Sequence, residues 1–330
     1  MMAFFAALFF GFVPMFIFAY ILYWLDRYEK EPIPLLIGVF AWGMFVAAGG
    51  AYVLNTLFGI TVFTVTGSEV ASDIATSSIS APFIEESLKG MAVLLVFWLF
   101  RREFDSILDG IVYAGIAALG FAATENVLYI WRGYAAEGWG GLFQLVFIRV
   151  ILVGWQHPFY TAFTGIGFAV ARMNRSWLAK IAGPLVGFGM AMFFHSAHNT
   201  LAGIPILGDL TCFVGSFLDW SGVFFMFLII LWATWMEQRN IINHLREEVQ
   251  SGVISAAQYR TACSAWAQSF ARLIGLFSGQ FMATSRFYQV CGELAHKKQQ
   301  LMKVGDEGGN AAIVKRYRAE LARLAPKAQS

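Results

Sequence analysis

The chain is 330 residues long, 58% hydrophobic and 13% charged, where soluble domains run at about 45–50% and 25%. A single soluble core stops growing at roughly 250–300 residues, so this much apolar surface needs lipid as its solvent, which excludes a disordered chain, a collagen and an ordinary cytosolic enzyme. The net charge of +2 hides an asymmetry: residues 1–236 hold 10 Lys and Arg against 14 Asp and Glu, a net of −4, while residues 237–330 hold 13 against 7, a net of +6.

A spanning helix needs about 20 mostly apolar residues. That ruler predicts seven, over 3–25, 34–58, 81–100, 108–131, 147–171, 181–203 and 212–236. The first is read as a span and not as a signal peptide, because it lacks a basic start and a small-residue cleavage site. The expected fold is all-α, a polytopic membrane helix bundle over 1–236 followed by a cytoplasmic, basic helical tail over 237–330. Arg27 and Lys30, then Arg101 and Arg102, then Arg172, Arg175 and Lys180 fall in alternate loops. Basic loops stay in the cytoplasm, which predicts an outside N-terminus and a cytoplasmic tail.

The tail mixes apolar and charged positions at helical spacing. Gly252 and the region of Gly275 and Gly279 are expected to break it, and 305–309 to link it to a last basic helix over 311–324. The stretch 267–282 is apolar enough to touch a membrane or the bundle. Cys212, Cys263 and Cys291 are too few and too far apart for a disulfide framework or a CxxC metal site, and they receive no catalytic role.

The informative residues are ionisable ones inside the spans, since each costs a few kcal/mol there and defaults to a functional hypothesis. They are Glu85, Glu86, Lys89, Glu125, His157, His195 and His198. Arg149, Asp105 and Asp109 sit at span ends and read as ordinary, by snorkelling or by favourable placement at a helix N-terminus. At 1.5 Å per residue, Glu85 lies about 6 Å, Glu125 about 9 Å, and His157 and His195 about 12–15 Å from the outer side. Four helices thus place their polar groups in one outer slab.

Glu85 and Lys89 are four residues apart and Glu86 and Lys89 three, so one cation serves both carboxylates. Two adjacent carboxylates in a low dielectric cannot easily both ionise. His195 and Asn199 share a helical face, Asn126 adds a polar group beside Glu125, and Pro158 frees backbone groups next to Gln156 and His157. The bland reading of each is an interhelical hydrogen bond or a buried ion pair. Gly183 with Gly187, and Gly115 with Gly120, read as close helix packing.

With these residues in hand, the sequence resembles the PrsW family of intramembrane proteases, related to the CAAX prenyl endopeptidase and bacteriocin-processing group. The resemblance covers about 20–202. Asp26-Arg27-Tyr28-Glu29-Lys30-Glu31-Pro32 looks like the family's first loop, Glu85-Glu86-Ser87-Leu88-Lys89 matches EExxK, and His195 to Asn199 fits HxxxN. The Phe104–Tyr113 and Gly120–Asn126 runs look like a further block, and His157 with Phe159 and Gly165 like another.

The resemblance implies a bacterial inner membrane as the location and hydrolysis of a membrane-anchored protein, such as an anti-sigma factor, near its outer leaflet. By analogy Glu85 is the base that activates water, Glu86 tunes its proton, and His195 and Asn199 stabilise the oxyanion. Lys89, Glu125, Asn126, His157 and His198 support the site or orient water. Zinc is an open question: His157, His195 and Glu125 would supply three ligands, but there is no HExxH. Partners are the membrane-anchored substrate, the bilayer and a cytoplasmic partner of the tail, with no nucleic acid. The alternatives are a proton- or ion-coupled transporter using the same Glu and His cluster, and a non-catalytic scaffold.

Overall fold

The structure, a computed structural model, describes residues 1–203 and 209–330, without the side chains of 102, 203–213 and 307. The side chains of Arg102 and Cys212 lie outside the described residues. The described residues are helical with no strand, so the polytopic helical bundle holds. They divide into two compact units.

The first unit comprises Met1–Trp24, Pro32–Arg172 and Leu178–Leu228. Helix α1, Met2–Leu25, is an unbroken apolar run. Helix α2, Ile33–Thr66, relaxes into a π-helical turn at Trp42–Ala47 and stops at Gly67, whose φ of 66° gives the left-handed C-terminal cap that glycine tolerates best. The short α3, Glu69–Ala75, is capped by Ser68 and continues through a second π-helical turn, Thr76–Ser80, into α4, Ala81–Leu99. Helix α5, Ile107–Val146, begins with a capping box in which Ser106 and Asp109 satisfy each other's backbone N–H groups. This confirms the ordinary role read for Asp109. Every residue from Leu108 to Ala123 is buried, so α5 is the helix around which the others pack.

Glu137 and Gly138 leave the helical region, Gly138 with φ 63° and ψ −144°, and there the chain turns back. A third π-helical turn, Phe147–Leu152, leads to α6, Gln156–Met173. The two limbs run antiparallel in close contact: a Cβ on Gly165 would meet the carbonyl of Gly110 at 1.9 Å, and one on Gly141 that of Gly133 at 2.4 Å. Helix α7, Trp177–Gly203, packs on α6 through Gly187, where a Cβ would lie 2.3 Å from the Phe163 carbonyl. Helix α8 runs over Asp209–His244.

Five stretches among the described residues are long and apolar enough to cross a membrane, Ile107–Met173 being one of them, against seven predicted spans. That stretch contains two predicted spans, joined across the Gly138 reversal. The predicted span over 81–100 is absent from the five because Glu85, Glu86 and Lys89 fall within it.

The second unit comprises Leu25–Glu31, Met173–Trp177 and Ile229–Ser330. It contains the end of α8, then α9 (Arg246–Gln250), α10 (Ala256–Ala262), α11 (Ala265–Phe277), α12 (Phe281–Val304) and α13 (Asn310–Leu324). Its core gathers Tyr28, Ile241, Leu245, Ile254, Phe287, Tyr288 and Leu321, so the 25–31 loop is part of this fold. Gly292 lets α12 approach the Tyr28 carbonyl, where a Cβ would sit at 2.5 Å, and Glu29 pairs with His296. The expected breaks fall at Gly252 and Gly279, both with φ 72°. Gly275 instead lies inside α11, where its missing side chain admits Thr284 of α12.

Candidate active site

The carboxylates of α4 face different surroundings although they are sequence neighbours. Glu86 is fully buried and both of its oxygens are taken. Oε1 accepts from Lys89 Nζ at 2.5 Å and meets His195 Nδ1 at 2.9 Å, and Oε2 accepts from Thr161 Oγ1 at 2.8 Å. Glu85 is also buried, yet its Oε2 has no hydrogen-bond partner. The nearest cation is Lys89 Nζ at 3.9 Å, and His195 Nε2 lies at 3.7 Å. An imidazole nitrogen hydrogen-bonded to a carboxylate carries the proton. His195 Nδ1–H therefore donates to Glu86 at 2.9 Å, and Nε2, beyond hydrogen-bond reach of Glu85 at 3.7 Å, keeps its lone pair.

The α5–α6 hairpin brings in a second set. His157 Nε2 meets Glu125 Oε2 at 2.9 Å, and its Nδ1 meets Lys89 Nζ at 3.3 Å. Glu125 also pairs with Arg149, whose Nε donates to Asn126 Oδ1 at 3.0 Å. Arg149 is therefore not a snorkelling residue: the π-helical turn that carries it aims the guanidinium at Glu125, while Tyr129 lies 4.0 Å from the guanidinium carbon.

Helix α7 completes the arrangement. Asn199 Nδ2 donates to the Ser77 carbonyl at 2.9 Å and Ser196 Oγ to the Ser78 carbonyl at 2.5 Å, so α7 holds the π-helical turn that leads into Glu85. His198 Nδ1 meets Asp219 Oδ2 at 2.7 Å. Tyr160 Oη donates to Asp219 Oδ1 at 2.8 Å, and Gln156 donates to Oδ2. Sequence reasoning passed over Asp219. Its signal was available: an aspartate well inside the apolar 212–236 run is as costly as the seven ionisable residues that were singled out.

A cavity of about 1330 Å³ opens among these helices. Seven of the nine residues expected at the site line it: Glu85, Glu125, Asn126, His157, His195, His198 and Asn199. Glu86 and Lys89 do not. They form the buried layer that holds Glu85 and His195 in place. Phe4 of α1 and Phe45 and Tyr52 of α2 line the apolar part, and all three are exposed on the outer surface as well. An apolar cavity with a few convergent polar groups is the usual form of a binding site.

Glu85, His157 and His195 offer ligand atoms within 4.8 Å of one another, a trio with Glu85 where the sequence reading had Glu125. Two donors are free for a cation: Glu85 Oε2 lacks a hydrogen-bond partner, and His195 is held by its other nitrogen on Glu86, the orientation metal-binding histidines usually show. His157 fits on condition that it releases Lys89 or Glu125, since both of its nitrogens are engaged.

A family profile described as PrsW family intramembrane metalloprotease matches residues 31–235. Among curated proteins, the chain is 31% identical over 147 residues to a protease PrsW of Geobacillus kaustophilus, covering 44% of this chain and 58% of that protein. It is 34% identical over 105 residues to one of Clostridioides difficile (32% and 42%) and 28% identical over 149 residues to one of Bacillus subtilis (45% and 61%). The chain thus spans between 42% and 61% of the length of these relatives. No solved structure matches it significantly.

Proposed function

The chain belongs to the PrsW family of intramembrane metalloproteases, and from that premise we propose that it is an intramembrane endopeptidase cutting a membrane-anchored protein. The observation that carries this reading is the unpartnered Oε2 of Glu85, buried at the wall of a cavity and 3.7 Å from the His195 Nε2 lone pair. A buried carboxylate oxygen without a donor is costly, and a water seated between it and the imidazole satisfies both.

Glu85 takes the proton of that water as the water oxygen attacks the scissile carbonyl carbon. Lys89 stays on Glu86, and Glu86 fixes the His195 ring, so His195 accepts a hydrogen bond from the water. In this tautomer it does not donate to the oxyanion. Asn199, with one N–H spent on Ser77, has a second to offer the oxyanion. Glu85 returns that proton to the leaving amine as the C–N bond breaks, and His198, whose Nδ1–H is held by Asp219, accepts a hydrogen bond through Nε2 that orients the amine. A metal ion held by Glu85, His157 and His195 would polarise the carbonyl and activate water.

The family resemblance supplies the substrate class, a membrane-anchored protein such as an anti-sigma factor, and the outer slab read from the sequence puts the cut near the outer leaflet in a chain with its N-terminus outside and its tail in the cytoplasm. In reconstituted vesicles Glu85→Gln is expected to lower cleavage of a reporter by about 10²–10⁴-fold with insertion unchanged. Wild-type cleavage by that variant ends the assignment. Comparing membrane proteins shed by wild-type and Glu85→Gln cells would identify the substrate. A topology reporter after Arg102 should read cytoplasmic and one in the 59–80 loop external; the reverse moves the cut to the inner leaflet.

A further inference from the structure

Helix α11 buries a narrow stripe and exposes a broad apolar face. Gln268, Ala271 and Gly275 are buried. Trp266, Phe270, Leu273, Ile274 and Phe277 point outward, Phe277 with 83% of its surface exposed, and Met282 at the start of α12 extends the face at 80%. A contiguous exposed apolar face of this extent is unusual on a water-facing domain and marks an interaction surface.

Two contacts within the second unit fix the level at which this helix begins. The Arg27 guanidinium, two residues beyond the end of α1, lies 5.4 Å from the Trp266 ring centre. Gln238, just past the apolar run of α8 that includes the exposed Trp235 and Met236, donates to the Cys263 carbonyl at 2.9 Å. Both neighbours are among the first polar residues after an apolar membrane helix. Chain residues at that position lie at the boundary between hydrocarbon and water. The first turn of α11 is therefore pinned to the same boundary, once by each of two membrane helices.

We propose that α11 is an interfacial helix, lying in the headgroup–acyl boundary of the bilayer that α1 and α8 cross, on the face where those two helices emerge. Its occupant is phospholipid. Trp266 with Arg27 above it, and Arg272 on the flank of the helix, are the aromatic and basic residues that such helices carry at the headgroup level. The net charge of +6 over 237–330 favours anionic headgroups. The tail is thus held to the membrane along a surface as well as by its covalent link to α8, independently of whether the chain cleaves anything.

The test uses the full chain in nanodiscs, with Cys212→Ser and Cys263→Ser as background and an environment-sensitive fluorophore on Phe277→Cys, Met282→Cys or the exposed control Lys315→Cys. Nitroxide-bearing phospholipid is expected to quench positions 277 and 282 at least about twofold more than 315. Aqueous iodide should quench 315 preferentially. Phe277 is so exposed that its replacement leaves the fold intact, and near-native hydrogen exchange in α12 verifies this. Equal iodide quenching at 277 and 315 overturns the proposal. So does shielding of 277 from iodide without nitroxide quenching, which would mean that protein, a second copy included, covers the face.

Discussion

Each unit buries a glutamate saturated by a lysine and further donors, and the first sets a second glutamate with an unpartnered oxygen directly beside it. In the second unit Glu248 is fully buried and saturated: Lys298 donates to it, and Arg318 reaches it through Nε at 2.8 Å and Nη2 at 2.7 Å. In the first unit Glu86 is saturated in the same way, but its neighbour Glu85 keeps an oxygen with no donor, turned toward a cavity. Burial of charge alone therefore says little about function. A compensated carboxylate holds a fold together, and an uncompensated one beside open space is available for chemistry.

The sharpest way to break this comparison is to neutralise the two neighbours separately. Glu85→Gln should lower cleavage by about 10²–10⁴-fold and leave thermal stability within about 0.5 kcal/mol, whereas Glu86→Ala takes from Lys89 its 2.5 Å partner and should cost about 3 kcal/mol of stability. If differential scanning of the purified variants ranks them the other way, the assignment of the two carboxylates is reversed.

A second prediction concerns the saturated side. Glu248→Ala takes from Lys298 and Arg318 the buried carboxylate they share, leaving Lys298 the His244 carbonyl and the exposed Glu247, and is expected to destabilise the second unit by about 3 kcal/mol, read as lost hydrogen-exchange protection in α12 and α13 with cleavage chemistry unchanged in the surviving folded fraction.

Asp219→Asn removes the charge that orients His198. Cleavage should fall up to about a hundredfold through loss of positioning, with KM and thermal stability unchanged. A loss of stability that accounts for the lost activity would make Asp219 a structural partner only.

The smallest effect is acid sensitivity of the second unit. Burial alone would raise Glu248, but hydrogen bonds from Arg318 and Lys298 outweigh it and hold the carboxyl below its ordinary range. A hydrogen bond from Arg286 does the same for Glu320. Folded carboxyls held low contribute stability above their unfolded pKa, near 4.5, and lose it as pH falls through the folded values. Limited proteolysis from neutral to acid pH should find the second unit opening below about pH 4, and later on that scale than in Glu320→Gln.

Much of this was legible in the residues. Apolar length and the scarcity of charge point to a helical membrane chain, and the cost of ionisable groups in lipid singles out the residues that line the cavity. What escaped has physical causes. Arg149 looked ordinary because snorkelling is the usual fate of a cation at a helix end, and only the pairing with Glu125 across the hairpin reveals otherwise. Asp219 needed the same cost argument applied to one more span. The partners of the 25–31 loop, Gly292 and His296, lie more than 260 residues along the chain from it, and no local periodicity carries that contact.

The π-helical turn at Thr76–Ser80 has a consequence for how this site is inherited. Such a turn holds one residue more than an α-helical turn, so its five residues carry the chain about as far round as four would in a regular helix. Were the same five drawn into a regular helix, everything that follows would rotate by about 100°, and Glu85 would point away from the cavity with no functional side chain altered. Deleting one residue of the turn keeps the aim of the carboxylate, whereas deleting one between Ala81 and Ile84 loses it, a contrast that substitution scanning cannot see.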